Sequence, residues 1–148
     1  MNIEEVLKMW KEDSIIDDLK LDDTTIKTAR LHSKYLELLT ITRMRRKKKD
    51  LEYKTLLKDK WLYYNGKLSQ GEMDMKGWEY DPFGGLNKPL KGDMNYYYDS
   101  DTDIQKAQAA LEYDKVLIET LEEIMNTIRW RHQNIGNIIK WRSFEAGA

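Results

Sequence analysis

Arg43-Met44-Arg45-Arg46-Lys47-Lys48-Lys49 places six cations in seven residues, and the basic character continues through Lys54, Lys58 and Lys60. Cations at this density attract polyanions, and a phosphate backbone is the polyanion a helical stripe can track. Wound on a helix at 100° per residue, Arg43, Lys47, Lys54 and Lys58 fall within about 60° of one another, and Trp61 joins that face. Tyr63 and Tyr64 close the segment. Aromatic rings beside cations give unpaired bases a stacking surface. The base-reading motifs of duplex-binding helices are missing, so a single strand fits better than a duplex. The bland alternatives are a solvated basic face, or a stripe that serves subunit contacts with acidic segments of the same sequence.

A second, weaker cluster is Arg129, Trp130, Arg131, His132, Lys140, Trp141 and Arg142, with no acid between Glu123 and Glu145. Trp130 and Trp141 stand eleven residues apart and share a helical face, where core or subunit packing is favoured over base stacking. Signals for an enzyme are missing. Gly66-Lys67-Leu68-Ser69 echoes the end of a phosphate-binding loop, but Trp61 stands where that motif needs glycine. Gly84-Gly85 lacks a strand-to-helix context, and His32 and His132 have no metal-ligand spacing around them. There is no cysteine, which excludes disulfides, thiol catalysis and zinc–thiolate sites together. The residues therefore point to a non-enzymatic binding protein without metal or cofactor.

The elements that would carry these residues can be read along the chain. Asn2-x-x-Glu5 is a capping box, and Ile3, Val6, Leu7 and Trp10 follow as one helical face, predicting a short helix that ends near Asp13. Asp22-Asp23-Thr24 offers caps for a second helix with no Gly or Pro before residue 65, so it is predicted to run from about 24 to Tyr64 unless it breaks in the basic run. Forty residues of helix span about 60 Å, far beyond the radius of gyration of about 15 Å of a compact domain of this size. Such a helix needs a partner for its apolar stripe. Residues 65–103 hold both prolines, six of the eight glycines and many aromatics. So long a stretch is expected to pair as a short β-hairpin or to be a mobile excursion.

Asp101-Thr102-Asp103 caps a third helix. Ile104, Leu111, Ile118, Met125, His132 and Ile139 occupy one heptad position, and Ala107, Asp114, Leu121, Ile128, Ile135 and Arg142 the other. Leu117, Ile124 and Ile138 widen the apolar face beyond a two-stranded seam. Residues 104–142 are accordingly predicted to build a homo-oligomer through Ile118, Leu121, Met125, Ile128, Ile135 and Ile139. The fold class is all-α, with long antiparallel amphipathic helices. The organisation is one domain over residues 1–148, with a nucleic-acid-binding helical part at 1–64, the excursion at 65–103, and the oligomerisation helix and tail at 104–148.

The net charge of -1 over 148 residues averages opposed blocks. Residues 1–23 carry a net of -5, residues 24–64 a net of +8, residues 65–103 a net of -4, and residues 104–148 are neutral. No stretch approaches the ~18 apolar residues of a membrane span, and the acidic N-terminus is not that of a signal peptide. A cytoplasmic protein is expected.

Leu57-Lys58-Asp59-Lys60-Trp61-Leu62-Tyr63-Tyr64-Asn65-Gly66 resembles the Leu-Lys-x-Arg-x-x-Tyr-Tyr-Ser-Gly segment of the UvsY recombination mediator family of T-even-type bacteriophages. Trp141-Arg142-Ser143-Phe144-Glu145-Ala146-Gly147 is similar to that family's closing Met-Arg-x-Phe-Glu-Ala-Gly, and Ser33-Lys34-Tyr35-Leu36 to its Ser-Lys-Trp-Leu. The similarity lapses between about 67 and 103. The resemblance implies a homo-oligomeric ring of six or seven subunits that binds single-stranded DNA. It further implies help to a RecA-like recombinase in displacing the phage single-strand-binding protein, in the cytoplasm of an infected host. Lys58 and Lys60 match the family's DNA-binding basic pair. Lys60 stands where the family has Arg, a point charge in place of a two-pronged fork.

Overall fold

The computed structural model describes residues 1–86 and 88–147. Among these residues five α-helices follow one another: α1 (Ile3–Asp13), α2 (Leu21–Tyr64), α3 (Gln70–Lys76), α4 (Met94–Ser100) and α5 (Thr102–Glu145), with one 3-10 turn at Lys91–Asp93 before α4. The capping box forms as read: Asn2 Oδ1 accepts from the Glu5 amide at 2.8 Å and the Asn2 amide donates to Glu5 at 3.0 Å. The second helix does not break in its basic run. It starts at Leu21, with Asp22 and Asp23 in the first turn where the helix dipole favours them. Both long helices contribute to each of two compact units, residues 1–45 with 114–148 and residues 46–113.

In the first unit, α1 and the opening part of α2 pack on the later part of α5. Val6, Leu31, Tyr35, Leu39, Leu117, Leu121, Ile124, Met125 and Ile128 form its core, with Ile3, Met9, Trp10 and Ile118 half-buried around it. Trp10 meets the Tyr35 ring edge-on, centroids 5.4 Å apart. The two long helices run antiparallel here: Thr28 lies beside Arg131, and Arg45 grips the buried Asp114 through two hydrogen bonds of 3.2 and 2.8 Å. Arg131 is itself buried. Its guanidinium donates to Thr28 Oγ1 and to the carbonyls of Ser14 and Ile15, which fixes the α1–α2 connection. Tyr35 and Lys34 both donate to Asp13 at the end of α1. Burial pushes the Asp13 carboxyl up, but these two donors and the Lys34 charge outweigh it and hold it below the ordinary carboxylate range.

The second unit joins the closing part of α2 and the start of α5 to everything between them. Gly66, at φ +68°, ends α2: its amide bonds the Tyr63 carbonyl at 3.1 Å and the next amide bonds Leu62 at 2.8 Å. That pattern needs a left-handed residue, which glycine adopts without steric cost. Ser69 caps α3 by accepting from the Glu72 amide, and the buried Asp101 caps α5 by accepting from Asp103 and Ile104. The Gly/Pro/Tyr-rich stretch contains no strand among the described residues, so the hairpin expected of it is replaced by α3, the 3-10 turn and α4. Its aromatics build a separate small core around Tyr63, Tyr64, Leu68 and Met94. Phe83, Tyr97 and Tyr98 each place a ring centroid 6.0 Å from that of Tyr64. No helix among the described residues is long and apolar enough to cross a membrane.

Candidate nucleic-acid interface

The predicted cations fall into two physically different groups. Lys47, Lys48 and Lys58 are exposed on the second unit's part of α2, and none of them makes an ion pair among the described residues. Lys54 is exposed too, although Asp50 one turn back sits 3.1 Å from it. Such an exposed pair is weak and is readily exchanged for another anion. Trp61 is 44% exposed, with Lys67 Nζ 4.6 Å from its ring centroid. Lys47, Lys48, Lys54, Lys58 and Trp61 are thus accessible to a phosphate backbone and its bases.

Lys60 is not. It is 4% exposed, with Nζ 2.9 Å from Asp101 and 3.0 Å from Asp103. The same Nζ sits 3.9 Å from the Trp78 ring centroid and 5.4 Å from that of Tyr63. Trp78 Nε1 donates to Asp103 at 2.9 Å, and the Tyr64 hydroxyl donates to Asp101 at 2.6 Å. Burial pushes the Asp101 carboxyl up, yet the Tyr64 hydroxyl, the Ile104 amide and Lys60 together hold it below the ordinary range. Burial and the Asp101 charge push the Tyr64 phenol well above its ordinary value. Lys60, Tyr63 and Tyr64, expected as DNA contacts, are therefore interior groups that tie α2 to the start of α5 in this unit. A lysine so enclosed has no free donor face for a phosphate.

In the first unit, Arg43 is exposed and pairs with Glu122 at 2.9 Å. The residues expected to join subunits need a similar correction. Leu121, Met125, Ile128 and Ile135 are buried within the single chain, and Ile118 is half-buried. The extra width of the α5 stripe is covered by α1, a third helix whose contribution heptad counting on α5 alone does not register. Ile139 stays exposed. Trp130, Trp141 and Phe144 are exposed as well, the last two with rings stacked 5.7 Å apart.

Sequence reasoning missed the Asp101, Asp103 and Trp78 partners of Lys60. The available sign was angular: two residues of helix turn Lys60 about 160° away from Lys58, toward Tyr63 and Tyr64. Among the described residues no group of three or more acidic or histidine side chains is arranged to hold a metal ion.

The model of the family described as recombination, repair and ssDNA binding protein UvsY matches residues 9–148. The recombination protein uvsY of Enterobacteria phage T4 is 26% identical over 147 residues, which is 99% of each chain. A crystal structure of the bacteriophage T4 recombination mediator protein UvsY superposes with a TM-score of 0.84 at 25% identity, over 99% of this chain and 98% of that one. A second lattice form of the same phage protein gives 0.81 at 22% identity, over 98% and 99%, a likeness of fold. The match runs nearly end to end through both long helices, and the chain therefore belongs to the UvsY family of recombination, repair and single-stranded-DNA-binding proteins of T-even-type bacteriophages.

Proposed function

We propose that this chain is a recombination mediator that binds single-stranded DNA as a homo-oligomer. It promotes loading of a RecA-like recombinase onto DNA covered by the phage single-strand-binding protein, in the cytoplasm of the infected bacterium. The observation that carries the reading is the set of exposed lysines on α2, Lys47, Lys48 and Lys58, left without an ion pair among the described residues, beside the half-exposed Trp61. Phosphates meet such lysines at little desolvation cost, and each contact releases condensed counterions, so affinity falls with salt. Repeating the site around an oligomer makes weak contacts cumulative.

The rival reading is a structural scaffold whose basic stripe serves protein contacts. It draws support from Arg43 and Arg45, which pair with Glu122 and Asp114 of the same chain. Those pairs engage the first unit's arginines and leave the lysines named above for DNA. Light scattering of the purified chain with and without a single-stranded oligonucleotide separates the two. A mediator has an oligomeric mass that rises by the mass of bound strand and loses the strand in high salt. A scaffold keeps its mass. Stimulation of recombinase assembly on protein-covered single strands tests the loading step, and no stimulation by a DNA-binding chain refutes it.

A further inference from the structure

The second unit contains a groove of about 460 Å³ between α2, α4 and the start of α5. Tyr53, Trp61 and Tyr98 supply its aromatic walls, and Leu57 and Ile104 add apolar lining. Its volume lies in the range of sites that take small molecules. The polar members are as specific. Asn95 and Gln108 bring side-chain amides, with Gln108 Nε2 donating to the Tyr53 hydroxyl at 3.0 Å. Asp99 brings a carboxylate, an acceptor suited to the exocyclic amino groups of cytosine, adenine and guanine. Lys58 lines the same groove, and Lys67 covers the Trp61 ring at 4.6 Å. Cations thus stand where a sugar–phosphate backbone would run past.

Aromatic walls, amide and carboxylate edges and flanking ammonium groups in one open groove are the complement of a nucleotide unit. A flat apolar partner would have no use for Asn95, Asp99 and Gln108, and a bare polyanion none for the rings. We propose that this groove is a nucleobase slot, in which one unpaired base of a bound strand stacks against Trp61 while Lys58 holds the adjoining phosphate. The slot deepens the single-strand-binding reading and rests on it. It also supplies a reason for preferring single strands: a base held in a duplex must first be unpaired and unstacked, at an energetic cost, before it can enter.

The test compares oligodeoxycytidylate with a strand of equal length and charge whose bases are replaced by abasic tetrahydrofuran units, both titrated into the full-length chain by fluorescence anisotropy. Base–aromatic stacking predicts that wild type binds the intact strand about fivefold or more tighter than the abasic one. Trp61→Ala removes that difference and leaves affinity for the abasic strand unchanged, whereas Lys58→Ala weakens both strands alike. Equal affinity of wild type for the two strands, with salt dependence intact, overturns the slot and leaves the phosphate-binding reading standing. Binding of neither strand overturns both. The wild-type comparison needs no variant, and a melting curve checks that Trp61→Ala folds.

Discussion

Replacing Lys60 with Ala is expected to destabilise the second unit rather than to remove a DNA contact. The ammonium sits 2.9 and 3.0 Å from two carboxylates, and its side chain is 5% exposed. Its removal leaves Asp101, with a side chain 4% exposed, to the Tyr64 hydroxyl and the α5 amides, with no cation paired to it among the described residues. Breaking a buried ion pair from one side costs about 3–5 kcal/mol. Asp103 is 42% exposed and keeps part of its hydration, which places the loss near the lower end, about 3 kcal/mol. For a chain of this length that corresponds to a fall in Tm of about 6–12 °C. Lys58→Ala, on an exposed residue with no ion-pair partner among those described, should stay within about 0.5 kcal/mol of wild type. The assay is thermal unfolding of both variants beside their affinity for a single strand, with hydrogen exchange locating the damage to residues 46–113. A double variant, Lys60→Met with Asp101→Asn, keeps a cap for α5 and removes both buried charges, so it should recover much of the loss. If Lys60→Ala melts like wild type while its DNA affinity and salt slope both fall, the interior assignment is wrong and Lys60 is a phosphate contact.

Arg131→Met removes the donors that hold the Ser14 and Ile15 carbonyls, and should cost about 2 kcal/mol while speeding amide exchange in the α1–α2 connection. Unchanged exchange there would refute the tethering role. The carboxyls of Asp13 and Asp101 lie below their ordinary value of 3.8 in the folded chain, so their contribution to stability is full above 3.8 and lost as the pH falls through the folded values. Acid titration of Tm should show this loss below about pH 4, and Asp101→Asn should flatten it. The exposed Trp141 and Phe144 rings are expected to lie at a subunit contact, so Trp141→Asp with Phe144→Asp should lower the sedimentation mass while leaving the melting of isolated subunits unchanged. Wild-type mass would place the contact elsewhere.

The ends of the first and the two long helices were legible because local chemistry decides them, whereas α3 and α4 were not foreseen. Asn2 and Glu5 close a capping box within one turn, Asp101 caps α5, and Gly66 supplies the left-handed residue that ends α2. What a helix face meets is a tertiary matter, and there periodicity is silent. The run of Leu121, Met125, Ile128 and Ile135 reads the same whether it faces another subunit or the chain's own α1 and α2. Charge density misled in a similar way. Lys60 shares its sequence neighbourhood with Lys58 but lies on the opposite side of the helix, where Tyr63 and Tyr64 lead into the interior. The glycines and prolines of residues 65–103 argued against regular structure, yet the aromatics among them outweigh that cost by closing a core of their own around Tyr64. Tyr53 on α2 and Asn95 and Tyr98 on α4, which line one groove, are far apart in the sequence, and only the fold joins them.

Exposed lysines on the closing part of α2 are expected to hold the phosphates of a single strand. The most direct test is the affinity of wild type and of the Lys47→Ala, Lys48→Ala, Lys58→Ala triple variant for one homopolymeric strand, measured across a salt series. Each phosphate contact on a single strand contributes about -0.7 to the slope of log affinity against log salt. The triple variant should keep its fold and mass, bind at least tenfold more weakly at low salt and have a slope shallower by about 2 per binding subunit. Equal affinity and equal slope for the two proteins would contradict this and remove the α2 lysines from the DNA site.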